Sequence, residues 1–210
     1  KDYQAGALSF EYNYLGEKII TNSGYFQDYK HQLNIISKSS ATQSTLVLNN
    51  TSSVKFERDK NGFMLASRNF KILNKEINLE DKMWFIKASH DAYLKSNGVI
   101  HERQINYFTD KFKLIGCDKL IKTKNFKSSN FEIRFHLLPE INLTKLLNKE
   151  TILIESKNAG WKFTCKGFKI DIETGLYFGM KNKYLENKNI LITGLTNSNE
   201  QKVNWEISKI

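Results

Sequence analysis

The 210-residue sequence has one proline and two cysteines, Cys117 and Cys165. No Pro/Gly/Ser-rich stretch marks a linker, so nothing divides the chain into separate units. Two cysteines are too few for a disulfide framework. Each sits in an apolar strand pattern, so buried free thiols are expected, and a single bridge stays open if the protein is exported. No apolar run reaches the roughly 18 residues that a membrane span needs. The opening Lys1-Asp2-Tyr3-Gln4 has neither a methionine nor a signal-peptide core. A strand pattern begins almost at once after it, and the first residue is read as a cut at a domain edge. Helical periodicity is missing as well: no window keeps apolar residues at i, i+3, i+4 and i+7 through three turns. Tyr29–Ser37 offers a short helix at best.

Period-two alternation is what the chain has in quantity. Leu8, Phe10, Tyr12 and Tyr14 alternate with Ser9, Glu11 and Asn13 from Gly6 to Tyr14, and Gly16 then turns the chain into Lys18–Asn22 as a hairpin. Further strands are expected at Ser44–Leu48, Val54–Glu57, Phe70–Leu79, Met83–Ala88, Ile100–Phe108 and Phe112–Cys117. The remainder are Phe131–Leu137, Thr151–Glu155, Trp161–Cys165, Phe168–Ile172, Ile190–Thr193 and Val203–Ile207. With 40% hydrophobic and 12% aromatic residues the chain can bury a large core. The expected fold is all-β: one domain over residues 1–210, a large antiparallel multi-sheet β-sandwich of about a dozen or more strands. No internal repeat suggests a propeller, and no βα alternation suggests a parallel sheet.

The net charge of +10 admits two readings. One is a lysine-rich solvated surface. The other is a surface for a polyanion, acidic polysaccharide first and nucleic acid second. The lysines are dispersed rather than clustered with stacking aromatics, which argues against a specific nucleic-acid site. Sequence motifs for chemistry fail on inspection. His101-Glu102-Arg103 begins like a zinc-protease helix, but Ile105 stands where the second histidine belongs, and the segment reads as strand. Lys166-Gly167-Phe168 opens like an RNA-recognition motif, but Lys169 and Ile170 follow where small and aromatic residues belong. Asn50-Thr51-Ser52 and Asn142-Leu143-Thr144 are glycosylation sequons by formula only. The sequence contains no phosphate-binding loop, dinucleotide fingerprint or Cys/His cluster at metal spacing.

Polar stripes on the strands remain. Glu132, Arg134 and His136 face away from Phe131, Ile133, Phe135 and Leu137. His101 and Arg103 share a face with Ile105 and Tyr107. His90, flanked by Asp91 and Tyr93, is placed in the loop after a strand, where binding residues concentrate. Such stripes form either a solvated sheet face with cross-strand ion pairs or a groove lining for sugar hydroxyls and carboxylates. His90, His101, Arg103, Arg134 and His136 are the candidates for substrate contact, and no residue is assigned as catalytic.

These segments together resemble a known family. Tyr3–Glu11, Lys18–Gly24 and Ala41–Leu48 are similar to the start of the C-terminal domain of heparinase II/III-like proteins. Ser89–Tyr93, Ile100–Arg103, Ile133–Pro139, Gly160–Phe163 and Trp205–Ile207 resemble later strands of the same domain. The resemblance implies the β-sandwich of a bacterial polysaccharide lyase, packed on an N-terminal α-helical toroid, with the cleft between them. It implies β-elimination at the uronic acid of an acidic polysaccharide, and a periplasmic or secreted setting without a membrane partner. Much of the chemistry, including a tyrosine acid/base and an Asn/His pair, would belong to the toroid. The family's β domain adds a His-x-His-x-Asp cluster before the Ser-Phe-Glu strand and a histidine in an Ala-His-Asn-Thr segment, serving catalysis and a zinc. Here no histidine precedes Ser9-Phe10-Glu11, and Gln43 takes the second position. No metal or other cofactor is therefore expected. The expected function is that of the C-terminal domain of a polysaccharide lyase, inactive when isolated. The alternative is a non-catalytic carbohydrate-binding or structural module that has lost the metal site.

Overall fold

Alternating apolar and polar side chains bury one face of a strand and wet the other, and here they assemble two facing sheets. The computed structural model describes residues 4–67, 70–181, 183–197 and 200–210. Lys1, Asp2 and Tyr3, the last of which opens the first family-like segment, lie outside the described residues. In chain order the strands are β1 (Tyr12–Tyr14), β2 (Glu17–Ile20), β3 (Leu46–Leu48), β4 (Phe56–Arg58), β5 (Met64–Ala66) and β6 (Ile72–Leu79). They continue as β7 (Met83–His90), β8 (Val99–Phe108), β9 (Lys113–Lys122), β10 (Asn130–His136) and β11 (Asn142–Lys145). The last are β12 (Thr151–Glu155), β13 (Gly160–Cys165), β14 (Lys169–Met180), β15 (Lys183–Leu195) and β16 (Glu200–Lys209). Two short α-helices, α1 (Gln32–Lys38) and α2 (Leu94–Asn97), and a 3-10 turn over Ser40–Thr42 complete the described regular structure.

An eight-stranded sheet runs β11-β12-β13-β16-β9-β8-β7-β6 and a four-stranded sheet runs β14-β15-β10-β3. Two ribbons, β1-β2 and β4-β5, flank them, and every strand pair is antiparallel. The all-β sandwich expected from the sequence is the observed fold. No described helix is long and apolar enough to cross a membrane.

The core lies between the two sheets. Val203, Trp205 and Ile207 of β16 and Trp161 and Phe163 of β13 face Phe131, Ile133 and Phe135 of β10 and Ile190 and Ile192 of β15, all buried. Each such side chain contributes about 1.5–3 kcal/mol by leaving water. Phe135 meets Phe163 and Trp205 edge-on, each with ring centroids 4.9 Å apart, and Phe10 stacks on Trp205 at 5.6 Å. The eight-stranded sheet is wider than its cover. At its β6–β7 end Ile77, Leu79, Trp84 and Ile86 lie on the inner side but stay exposed.

Several expected elements differ in extent. Gly6–Tyr14 was expected as one strand, but only Tyr12–Tyr14 is, and Ala7-Leu8 forms a turn with Leu8 at φ 57°. Side chains take the backbone groups there: Thr45 Oγ1 donates to the Ala7 carbonyl and Arg103 to that of Leu8. β7 runs on past Ala88 to His90, because His90 pairs in register with His101. His90 therefore ends a strand and does not lie in the following loop. β14 and β15 form a hairpin far longer than Phe168–Ile172 and Ile190–Thr193 suggest, because its distal half does not alternate: Leu176, Tyr177 and Phe178 follow one another in β14, and Glu186–Asn189 is a polar run in β15. α1 overlaps the expected helical stretch Tyr29–Ser37 and runs one residue past it, to Lys38.

Gly116 of β9 shows how tightly the strands are matched. It stands opposite Trp205, and a Cβ there would come 2.0 Å from the indole. Gly116→Ala is expected to lower the stability of unfolding by about 1–3 kcal/mol or more, with the urea midpoint as the measurement.

Candidate functional site

Four neighbouring strands, β7, β8, β9 and β16, direct polar side chains inward to one point. The strand register sets His90 opposite His101, and Arg103 opposite Asp118. All four are buried, Asp118 and His101 completely. Asp118 receives four hydrogen bonds. Its Oδ1 accepts from His101 Nε2 (2.7 Å) and Arg103 Nε (2.7 Å), and its Oδ2 from Arg103 Nη2 (3.0 Å) and Trp205 Nε1 (2.8 Å). Arg103 Nη1 extends to the carbonyls of Leu8 (2.9 Å) and Ser44 (2.6 Å).

The tautomers follow from the partners. Ala92 N–H donates to His90 Nδ1, so His90 carries its proton on Nε2 and donates it to His101 Nδ1 at 3.1 Å. His101 then donates from Nε2 to Asp118. Burial holds both histidines below the ordinary value, with the Arg103 charge acting in the same direction, while in His101 the Asp118 bond only partly opposes it. The His101–Asp118 contact is thus a neutral imidazole on a carboxylate. Burial by itself would raise the Asp118 carboxyl, but the Arg103 guanidinium and the His101 bond hold it well below the usual carboxylate range.

The other two candidates lie apart from this group, on the outer face of the four-stranded sheet. His136 is buried: its Nδ1 accepts from Ser23 Oγ (2.9 Å) and its Nε2 donates to the Ala41 carbonyl (3.1 Å). Arg134 is held by Glu173 Oε1 (2.6 Å) and Glu132 Oε2 (2.7 Å). Burial works against its charge, but Glu173 and then Glu132 keep it above its ordinary value. The structure brings His90, His101 and Arg103 together in one internal network. It keeps His136 and Arg134 separate, each already bonded.

Gln43 and its surroundings offer a poor fit to zinc. Its Nε2 donates to Thr42 Oγ1 at 3.3 Å, Gly6 and Ser9 adjoin it, and both nitrogens of nearby His136 are engaged. Zinc takes thiolate, imidazole or carboxylate donors; His90, His101 and Asp118 are already bonded to one another, and no group of three such residues among the described residues is arranged to hold a metal ion. Elemental analysis of the purified, dialysed chain is expected to find far less than one zinc per chain; a stoichiometric ion would overturn this.

The buried histidines also make stability depend on pH. Burial, and after it the Arg134 charge, brings His136 down to about 4. An unfolded histidine takes its proton near about 6.5, so below that pH the unfolded chain binds more protons than the folded one. Stability is complete above that value and is lost as pH falls, by up to about 1.4 kcal/mol per pH unit for each histidine kept neutral. Urea midpoints measured from neutral pH into the mildly acidic range should fall steadily, and His136→Gln should flatten the slope. A profile without slope would contradict it.

A surface cleft is the feature the sequence did not disclose. α1 starts at His31, whose Nδ1 accepts from Leu33 N–H at 3.1 Å. It is laced to the preceding segment by Asn34 Nδ2, which donates to Tyr25 Oη (2.8 Å) and the Phe26 carbonyl (2.7 Å), and by Ser37 Oγ, which accepts from Phe26 N–H. The β4–β5 turn is closed by Asp59 Oδ1, which accepts from the N–H groups of Asn61 and Phe63. Between these elements opens a cleft of about 650 Å³ lined by Tyr25, Tyr29, Asn34, Lys38, Asp59 and Phe63 among others. Tyr29 and Phe63 meet across it with centroids 4.6 Å apart. Tyrosines at 25 and 29 outside any strand were a faint signal in the sequence. The approach of residues 59–65 to α1 is tertiary and left none.

The two facing sheets and the polar network between them define an all-β sandwich module. Residues 1–206 match the family description "Heparinase II/III-like, C-terminal", and the chain belongs to that family. Solved structures agree in fold. Heparan sulfate lyase HepC from Pedobacter heparinus superposes with a TM-score of 0.78 at 13% identity, over 98% of this chain and 30% of that one. A heparinase III, the BT4657 gene product, gives 0.78 at 13% identity over 99% and 30%. Another heparinase III gives 0.72 at 14% identity with the same coverage. The chain thus spans about a third of the length of these proteins. No curated protein sequence matches it.

Proposed function

We propose that this chain is the β domain of a lyase that cleaves acidic, uronate-containing polysaccharide by β-elimination, and that its own share of the work is to bind the polymer. The observation that carries the reading is the fold correspondence of 98% of this chain with 30% of a heparan sulfate lyase, in a chain of net charge +10. Elimination needs a cation or donor on the sugar carboxylate, a base for the adjacent C–H and an acid for the departing oxygen. His90, His101 and His136 are enclosed and already bonded. Proton transfer therefore falls to groups on the opposite wall of the cleft, which the resemblance assigns to an α-helical toroid. A periplasmic or secreted setting goes with this reading.

A second reading is a non-catalytic carbohydrate-binding or structural module. The amide and hydroxyl surroundings of Gln43, where relatives of the family carry a metal-linked histidine, favour it.

The test pairs an absorbance assay for unsaturated uronate products with binding across a salt series. The 210-residue chain alone is expected to bind acidic polysaccharides without turnover, and its surface contacts should weaken as the screening length shortens toward about 8 Å. Turnover by the chain alone would move the active site onto it. Failure to bind any acidic polysaccharide at low salt would overturn the polysaccharide reading. Turnover that appears when a toroid-bearing form is assayed selects the lyase over the module.

A further inference from the structure

Lys38 is placed unlike the lysines that cover the surface. It ends α1 and is only 5% exposed, yet it lines the cleft between α1 and the β4–β5 ribbon. Its ammonium makes one long hydrogen bond, 3.4 Å to the Met64 carbonyl, and lies 5.4 Å from the Tyr25 ring centre. Among the described residues no carboxylate forms an ion pair with it. Asp59 lines the same cleft, but its Oδ1 is engaged by two backbone N–H groups of its own turn. An ammonium has three protons to donate, and an enclosed charge without a counter-charge is costly. An anion delivered to the cleft would supply what the protein does not.

The rest of the cleft suits a sugar. Tyr29 is 54% exposed and paired with Phe63, presenting an apolar ring face to the C–H side of a pyranose. The Lys30 ammonium lies over the Tyr29 ring, 5.9 Å from its centre. The cleft, about 650 Å³, is open to solvent, as a site on a polymer must be. We propose that this cleft is a subsite for one anionic sugar residue, with its carboxylate or sulfate on Lys38 and its ring on Tyr29 and Phe63. The proposal rests on the acidic-polysaccharide reading above and assigns it a place in the domain.

The experiment measures the affinity of the 210-residue chain at physiological ionic strength for three probes: sulfated heparan oligosaccharides, unsulfated glucuronate-containing oligosaccharides and neutral cello-oligosaccharides. The proteins are the wild type, Lys38→Met, Tyr29→Ala and a remote control in which exposed Lys111 and Lys166 both become Gln. Lys38→Met and Tyr29→Ala should each weaken binding of an acidic probe by about tenfold or more, as loss of a charge-assisted contact does. The control removes twice the charge and should change little. A loss on Lys38→Met with the unsulfated glucuronate probe assigns a carboxylate to Lys38, and a loss with the sulfated probe alone assigns a sulfate. Lys38 is enclosed, so if Lys38→Met does not fold, the exposed Tyr29→Ala decides. Losses no greater than in the control would overturn this subsite while leaving the polysaccharide reading intact. Neutral oligosaccharides binding as well as acidic ones would overturn the role of Lys38. No binding of any acidic probe by the wild type would remove both the subsite and the reading beneath it.

Discussion

A negative charge sealed between two sheets, on Asp118, governs much of what surrounds it. An enclosed carboxylate costs several kcal/mol unless paired and hydrogen-bonded, so Arg103 must stand directly across the β8–β9 pair. His101 must stay neutral with its proton on Nε2, and that in turn orients His90. Arg103 keeps donors to spare, and they bind the carbonyls of Leu8, 95 residues away in sequence, and Ser44, 59 away. One guanidinium thus ties the irregular start of the chain and the approach to β3 to the eight-stranded sheet. Trp205 closes the arrangement from β16, 87 residues beyond Asp118. Contacts so distant in sequence make for slow folding. Apolar residues of equal volume often stabilise a core as well as such a network does. What the network adds is definition: any slip of β7, β8, β9 or β16 would leave a buried charge unpaired.

The sequence disclosed the class of fold because period-two alternation is a local property, and Val203, Trp205 and Ile207 show it without help from any neighbour. It disclosed less of the edges. Ile77 and Leu79 alternate like core residues, yet they stay exposed because the facing sheet stops short of β6, and no local pattern records the width of a covering layer. The stripe of His101 and Arg103 was legible as a shared face. That the face turns inward depends on Asp118 arriving from the next strand. Likewise the Ala7-Leu8 turn interrupts an alternating stretch only because side chains of Thr45 and Arg103 claim its carbonyls. The cleft was the least legible of all, since Tyr29 and Phe63 are brought together by the ribbon folding over α1.

The polar residues of the domain therefore divide into two populations. Asp118, Arg103, His90, His101 and His136 spend their hydrogen-bonding capacity on one another and on backbone groups, and serve the architecture. Lys38 retains donor capacity that faces a cleft. The sequence treats both alike, as polar or aromatic letters in a strand or a loop. Burial and the count of donors against acceptors tell them apart.

The two thiols lie on opposite sides of one sheet. Cys165 shares the inner side with Trp161 and Phe163, whereas Cys117 points outward between Gly116 and Asp118, whose side is the inner one. Both are free, and burial pushes the Cys165 thiol up to about 12. A sheet stands between them, so oxidation cannot join the pair within the native fold. The protonated state of Cys165 also leaves it a sluggish partner for exchange with outside thiols. The domain is accordingly indifferent to redox conditions: moving it from a reducing to an oxidising medium changes no covalent bond on which its shape relies.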